Sequence, residues 1–135
     1  MIIIITIIEP QIRSLFIDMD PNKRNNDKVV EKFTLFNNRL QLLERILDEE
    51  GGGPFFMNDC FSVAECILPP TLLMTELMAE ELGTKINFDE NIKLKKWYEE
   101  IKTNPIVAPI LQKATVATIE WISKKKGGAV SKCSL

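Results

Sequence analysis

Apolar residues recur at three- and four-residue steps through most of the chain, and polar or proline-bearing stretches interrupt them. Ile8, Ile12, Leu15, Phe16 and Met19 predict a helix over residues 8–19, with Pro10 tolerable only near its start. Asp18–Asp27 (DMDPNKRNND) is polar, holds Pro21 and reads as a loop. The clearest helix follows over residues 28–49. Val29, Phe33, Phe36, Leu40, Leu43 and Leu47 alternate steps of four and three, and Leu35, Leu42 and Ile46 widen the stripe. That breadth belongs to a bundle helix and not to a two-position coiled-coil seam. Asp48, Glu49 and Glu50 oppose the helix dipole, so its last turn is expected to fray.

Gly51-Gly52-Gly53-Pro54 breaks the chain. No Gly-Lys-Ser/Thr follows it and no strand precedes it, so it reads as a turn between helices and not as a phosphate loop. Ser62 and Glu65 then form a capping box: the hydroxyl accepts from the N3 amide and the carboxylate accepts from the cap amide. Phe61 and Cys66 occupy the hydrophobic-staple positions around it. The helix they open, to residue 82, is apolar on most sides, which places it in the middle of the domain. Pro69-Pro70 inside it is expected to remove backbone bonds and bend it. After Gly83 a loop leads to Asp89, and a helix over residues 90–102 carries Leu94, Trp97, Tyr98 and Ile101 on one face. Asn104-Pro105 supplies an N-cap and first-turn proline for a further helix with Ile106, Val107, Ile110 and Leu111 inward and a kink expected at Pro109. A last helix, 114–124, carries Val116, Ile119 and Ile122. Residues 125–135 show no periodicity and read as a mobile tail. Residues 1–8 (MIIIITII) are too short to cross a bilayer and read as a buried first turn or strand.

The chain of 135 residues, 45% apolar and 27% charged, has room for one globular domain. Its net charge of -2 argues against nucleic acid as the main partner. Lys124-Lys125-Lys126 reads as a solvated helix end that complements the dipole. There is no histidine, which removes Ser-His-Asp and Cys-His nucleophile systems and most zinc sites, and no metal is expected. Cys60, Cys66 and Cys133 match no disulfide framework and read as reduced thiols of a cytoplasmic protein with no membrane anchor. Tyr98, the single tyrosine, could stabilise a thiolate through its phenol, but its place on the tryptophan helix favours core packing.

Three segments in this order resemble the C-terminal domain of the glutathione transferase superfamily. They are the helix over 28–49 leading into Pro54-Phe55-Phe56-Met57-Asn58-Asp59, the capped stretch Phe61-Ser62-Val63-Ala64-Glu65-Cys66 with Pro69, and Leu94-Lys95-Lys96-Trp97-Tyr98-Glu99-Glu100-Ile101 before Asn104-Pro105. They are similar to the family's "PYLxGxxxS" turn, its capped central helix and its "LxxWYxxIxxxP" junction. Asn58 stands where the turn usually has glycine, Glu65 where the box usually has aspartate, and Ile92 where a proline often opens the tryptophan helix.

The resemblance implies an all-α helical bundle over residues 8–124, without the thioredoxin-like domain that in the family binds glutathione and ionises its thiol. No catalytic residue carries over. In the family the first and last helices of this domain face the cleft between domains. The resemblance therefore makes Ile12, Phe16 and Trp121 candidates for a hydrophobic-substrate pocket and lets Arg13 pair with a glutathione carboxylate. Against these readings stand ordinary core packing for the apolar three and a solvated surface position for Arg13. The function implied is a glutathione transferase-like chain that supplies a substrate wall and dimer contacts. Glutathione would be its co-substrate only with a thioredoxin-like partner, and the partners expected are that domain or a second copy. The alternative is a non-enzymatic interaction module of the same shape, as in translation factor or tRNA synthetase assemblies.

Replacing Ser62 by Ala removes the cap acceptor, and urea denaturation should show a loss of about 1 kcal/mol.

Overall fold

The computed structural model describes residues 2–49, 55–56 and 60–133, with side chains for 8–49, 55–56 and 60–127. Five α-helices follow in order: α1 (Ile2–Arg13), α2 (Asn26–Glu49), α3 (Val63–Glu81), α4 (Ile92–Ile101) and α5 (Val107–Cys133), with a 3-10 turn at Phe16–Met19. Among the described residues there is no β-strand; Phe55 and Cys60 are isolated bridge residues. α1 packs on α2, α2 on α4, and α3 on α5 most extensively. The all-α class read from the sequence is what the structure shows.

α2 forms as its pattern demands. Val29, Phe33, Phe36, Leu40, Leu43 and Leu47 are all buried, whereas Leu35, taken as part of the stripe, is exposed. The acidic end of α2 meets an opposite charge, because Lys93 of α4 pairs with Asp48.

α1 begins at Ile2, so residues 2–8 are helical and not a strand. Pro10 sits well inside this helix and not near its start. How deeply Ile2–Ile7 are buried lies outside the described residues, as do the Gly51–Pro54 turn and Asn58. The expected helix over 8–19 ends at Arg13 and is replaced by the 3-10 turn, in which Asp18 and Met19 are buried. Asp18 explains the change of course. Its carboxylate accepts from Lys32 Nζ of α2 at 2.7 Å and from the Asn25 amide at 3.3 Å, and Arg24 Nε donates to its carbonyl at 2.7 Å. A buried carboxylate needs such partners, and these fold the loop back onto α2.

α3 carries the predicted capping box, and its helix runs unbroken through Pro69 and Pro70. The Ser62 hydroxyl accepts from the Ala64 amide at 3.3 Å. Glu65 accepts from the Ser62 amide at 2.9 Å and also from the Phe56 amide at 3.3 Å. Both staple residues, Phe61 and Cys66, are half-buried, and Phe61 packs edge-on against Phe55 at 5.5 Å. The other end closes on Gly83, whose φ of 75° only glycine adopts without strain. Thr84 donates to the Ala79 carbonyl at 2.8 Å and Gly83 to that of Glu80 at 3.2 Å, the paired bonds of a Schellman motif.

α4 buries Leu94, Trp97, Tyr98 and Ile101 together, as its spacing predicts. Its cap comes from elsewhere in the chain. Asn91 turns its side chain back to the Asn87 carbonyl, and Glu44 of α2 accepts from the Lys93 and Leu94 amides at 2.8 and 2.6 Å. Ile92, at the family's usual proline position, is 73% exposed and free of packing demands.

Two expected helices are one. α5 continues past residue 114 and on beyond Lys125 to Cys133, with non-helical backbone at Gly127. Asn104 caps it, accepting the Ile106 amide at 2.9 Å. Ala108 already donates to the Asn104 carbonyl at 2.8 Å, so Pro109 stands where the next bond of the ladder would form, and the helix runs on past it. Val107, Leu111 and Ile122 are buried, but Ile106, Ile110, Val116 and Ile119 are exposed, against the inward expectation. At 100° per residue the buried set subtends one arc that these four fall outside.

Glu44→Ala should cost about 1–2 kcal/mol in urea denaturation by stripping the cap from α4. Asp48→Asn, which removes an exposed ion pair, should change stability by less than about 0.5 kcal/mol.

Candidate functional site: an apolar cleft between α1 and α3

α1 presents Ile8 and Ile12, the 3-10 turn after it adds Phe16, and α3 presents Ala64, Ile67, Thr71 and Met74 at steps of three and four. Those spacings set two apolar ridges facing each other. Between them lies a cleft of about 360 Å³, with Leu68 at its floor and Glu9 and Arg13 at its rim. The volume is within the range of small-molecule sites.

The structure brings three of the four sequence candidates, Ile12, Arg13 and Phe16, onto this one cleft. Ile12 is 4% exposed, so it serves the core and the cleft wall together. Trp121 of α5 stands behind Phe16, edge-on at 5.1 Å between ring centroids, and supports the wall from outside the cleft. Arg13 is a surface residue whose Nη2 is held by Glu9 Oε1 at 2.6 Å, one turn back on α1. Beyond Phe16 lies a second hollow of about 240 Å³ lined also by Ile17, Asp20, Lys23 and Lys125.

Sequence reasoning missed the α3 wall. Ile67, Thr71 and Met74 share a face, but in a helix apolar on most sides one stripe does not stand out from another. Lys23 and Lys125 were also missed; each lies in a segment read as loop or tail, where spacing carries no directional information.

The candidates for thiol chemistry stand apart from the cleft. Tyr98 is 2% exposed, stacks on Phe88 at 5.5 Å and lies beneath Lys102 Nζ at 4.1 Å. Burial pushes its phenol far above the ordinary tyrosine value, and the neighbouring Glu76 carboxylate adds to the effect. A phenol so placed packs the core and has no route to a substrate. Cys60 is exposed and Cys66 half-buried, both free thiols, and neither lines the cleft. Among the described residues no group of three or more Cys, Asp or Glu converges as a metal site. No described helix is long and apolar enough to cross a membrane.

A family model described as "Glutathione S-transferase, C-terminal domain" matches residues 7–114. The chain belongs to that family. No curated protein and no solved structure gives a match. The matched span runs from the start of the described α1 side chains into α5, so it contains both walls of the cleft.

Tyr98 is the only tyrosine, so phenolate absorbance reports it alone. A folded-state value raised above the unfolded value near 10 leaves stability intact below that pH and erodes it above. Alkaline titration should therefore show phenolate absorbance rising together with loss of helical circular dichroism, and not ahead of it.

Proposed function

We propose that this chain is the helical half of a glutathione transferase-type active site, with the α1–α3 cleft as the wall that receives the apolar part of an electrophilic substrate. The observation that carries this reading is the cleft itself. Seven of its ten lining side chains are apolar, and it opens where Ile12, Arg13 and Phe16 meet α3. Such a site orients a substrate by apolar contact and shields it from water, which raises the effective concentration of reactants held near it.

Nothing on the cleft wall can ionise a thiol. Its titratable groups are Glu9 and Arg13, and these neutralise each other at the rim. Glutathione would enter as co-substrate from a thioredoxin-like domain that supplies thiolate stabilisation, docked over the cleft mouth or contributed within a dimer. Ile67 on the cleft wall, and Ile17 and Val63 next in sequence to the lining residues Phe16 and Ala64, are exposed apolar residues of the kind a docking partner covers. A closed, polar surface here would have favoured the non-enzymatic interaction module, and the apolar opening favours the substrate wall.

Retention on immobilised glutathione is the direct test. The 135-residue chain alone should pass through, and the same chain with a thioredoxin-like domain supplied should be retained and should conjugate a nitroaryl chloride. Ile67→Asp should then cut turnover at least about tenfold without releasing the protein from the glutathione support. Conjugation by the chain unaided, or unchanged turnover in Ile67→Asp, would contradict the reading.

A further inference from the structure

α5 turns one side to the bundle, where Val107, Leu111, Thr118 and Ile122 are buried. On its outer side Gln112, Val116, Ile119 and Ser123 are all exposed, at steps of four, three and four. At 100° per residue these four fall within an arc of about 60°, a straight stripe with the spacing of a coiled-coil seam. The middle of the stripe is apolar and more than half exposed, Val116 at 55% and Ile119 at 53%. Exposed apolar residues alone are ordinary on a protein surface, but the charges beside these two are arranged to match a particular occupant. Lys113 and Glu120, both exposed, lie along one edge of the stripe. They are seven residues and so about 10 Å apart along the helix, too far to pair with each other. Neither makes an ion pair with any other group among the described residues.

We propose that this stripe is the contact between two copies of the chain, their α5 helices lying antiparallel about a two-fold axis near residues 117–118. That symmetry sets Val116 against Ile119 of the second copy and Gln112 against Ser123 of the second copy, each twice over. It also brings Lys113 close to the level of Glu120 of the second copy on the same edge of the seam, again twice, within reach of both side chains. A parallel pairing would instead set lysine against lysine and glutamate against glutamate. The stripe is therefore complementary in charge to a reversed copy of itself, and that self-complementarity is what selects a second copy as its occupant. Val116, Ile119 and Ser123 lie beyond residue 114, where the family match ends, so the surface is read from this chain's own residues. None of the six lines the cleft between α1 and α3, and the contact stands apart from the substrate-wall reading. A single helix pair is smaller than a standard interface of about 1,600 Å², so the association is weak and concentration-dependent.

Sedimentation equilibrium of the full chain from micromolar to millimolar concentration, under reducing conditions that prevent disulfide pairing, reads the association. The wild-type chain should show a monomer–dimer equilibrium. Ile119→Asp should weaken it by more than about tenfold and leave the helical circular dichroism unchanged, because the residue is already solvated in the single chain. Lys113→Glu and Glu120→Lys should each weaken it at least about fivefold by setting like charges opposite one another. An equimolar mixture of those two variants should recover the wild-type association, since a mixed antiparallel pair restores both oppositely charged contacts. Glu99→Lys, on the exposed side of α4 and outside the stripe, should leave the equilibrium as it was. A wild-type monomer at every concentration overturns the proposal in favour of a different partner protein. A dimer indifferent to both Ile119→Asp and Lys113→Glu lies elsewhere on the surface and overturns it as well. A mixture that associates no more tightly than either variant alone overturns the antiparallel pairing.

Discussion

The structure depends on one buried carboxylate. Glu65 is fully buried and accepts three hydrogen bonds, from the Ser62 amide, the Ser62 hydroxyl and the Phe56 amide. Such a group is costly to bury unless its lone pairs are satisfied, so α3 can start in only one place and the chain before it can approach in only one way. The Phe56 ring, delivered by that approach, packs edge-on against Trp97 at 4.8 Å. One side chain therefore ties the start of the central helix to the preceding segment and, through Phe56, to α4. Ala64, Ile67, Leu68 and Thr71 are the next residues of the same helix, so its start also sets the α3 wall of the cleft.

Carboxylates do the same work elsewhere in the bundle. Glu44 closes the N-terminus of α4 from a neighbouring helix, and Asp18 folds the 3-10 turn onto α2 through Lys32. In each case an acidic side chain meets backbone donors or a cation that its own element leaves unsatisfied, as the ends of helices require. The cleft inherits its shape from these fastenings. Glu65 fixes α3, Asp18 fixes the turn that follows Phe16, and Trp121 of α5 supports Phe16 from behind.

The parts of this architecture readable from the amino-acid order are those decided by local rules. The α2 stripe, the Ser62–Glu65 box and the Leu94–Ile101 face each follow from residues within a few positions of one another. The parts that escaped it are decided across the chain. The break after Arg13 follows from Asp18 finding Lys32, and the cap of α4 follows from Glu44, some fifty residues earlier. No spacing rule connects such pairs. The sequence reading divides α5 into two helices near residue 114, yet neither glycine nor proline stands there to break it, and the helix continues. In the candidate site the family resemblance led to Ile12, Arg13, Phe16 and Trp121, which the fold brings to one region. The opposing wall on α3 and the lysines at residues 23 and 125 appear only once the helices are packed.

If Glu65 organises the bundle and its cleft, local opening should begin there when it is removed. Backbone amide hydrogen exchange of wild-type and Glu65→Ala chains, resolved residue by residue, tests this most directly. The account predicts that the Phe56 and Ser62 amides and the first turn of α3 lose protection by about a hundredfold or more, while Phe36–Leu43 in the centre of α2 stays protected. Unchanged protection at Phe56 and Ser62, or an even loss across every helix, would contradict it.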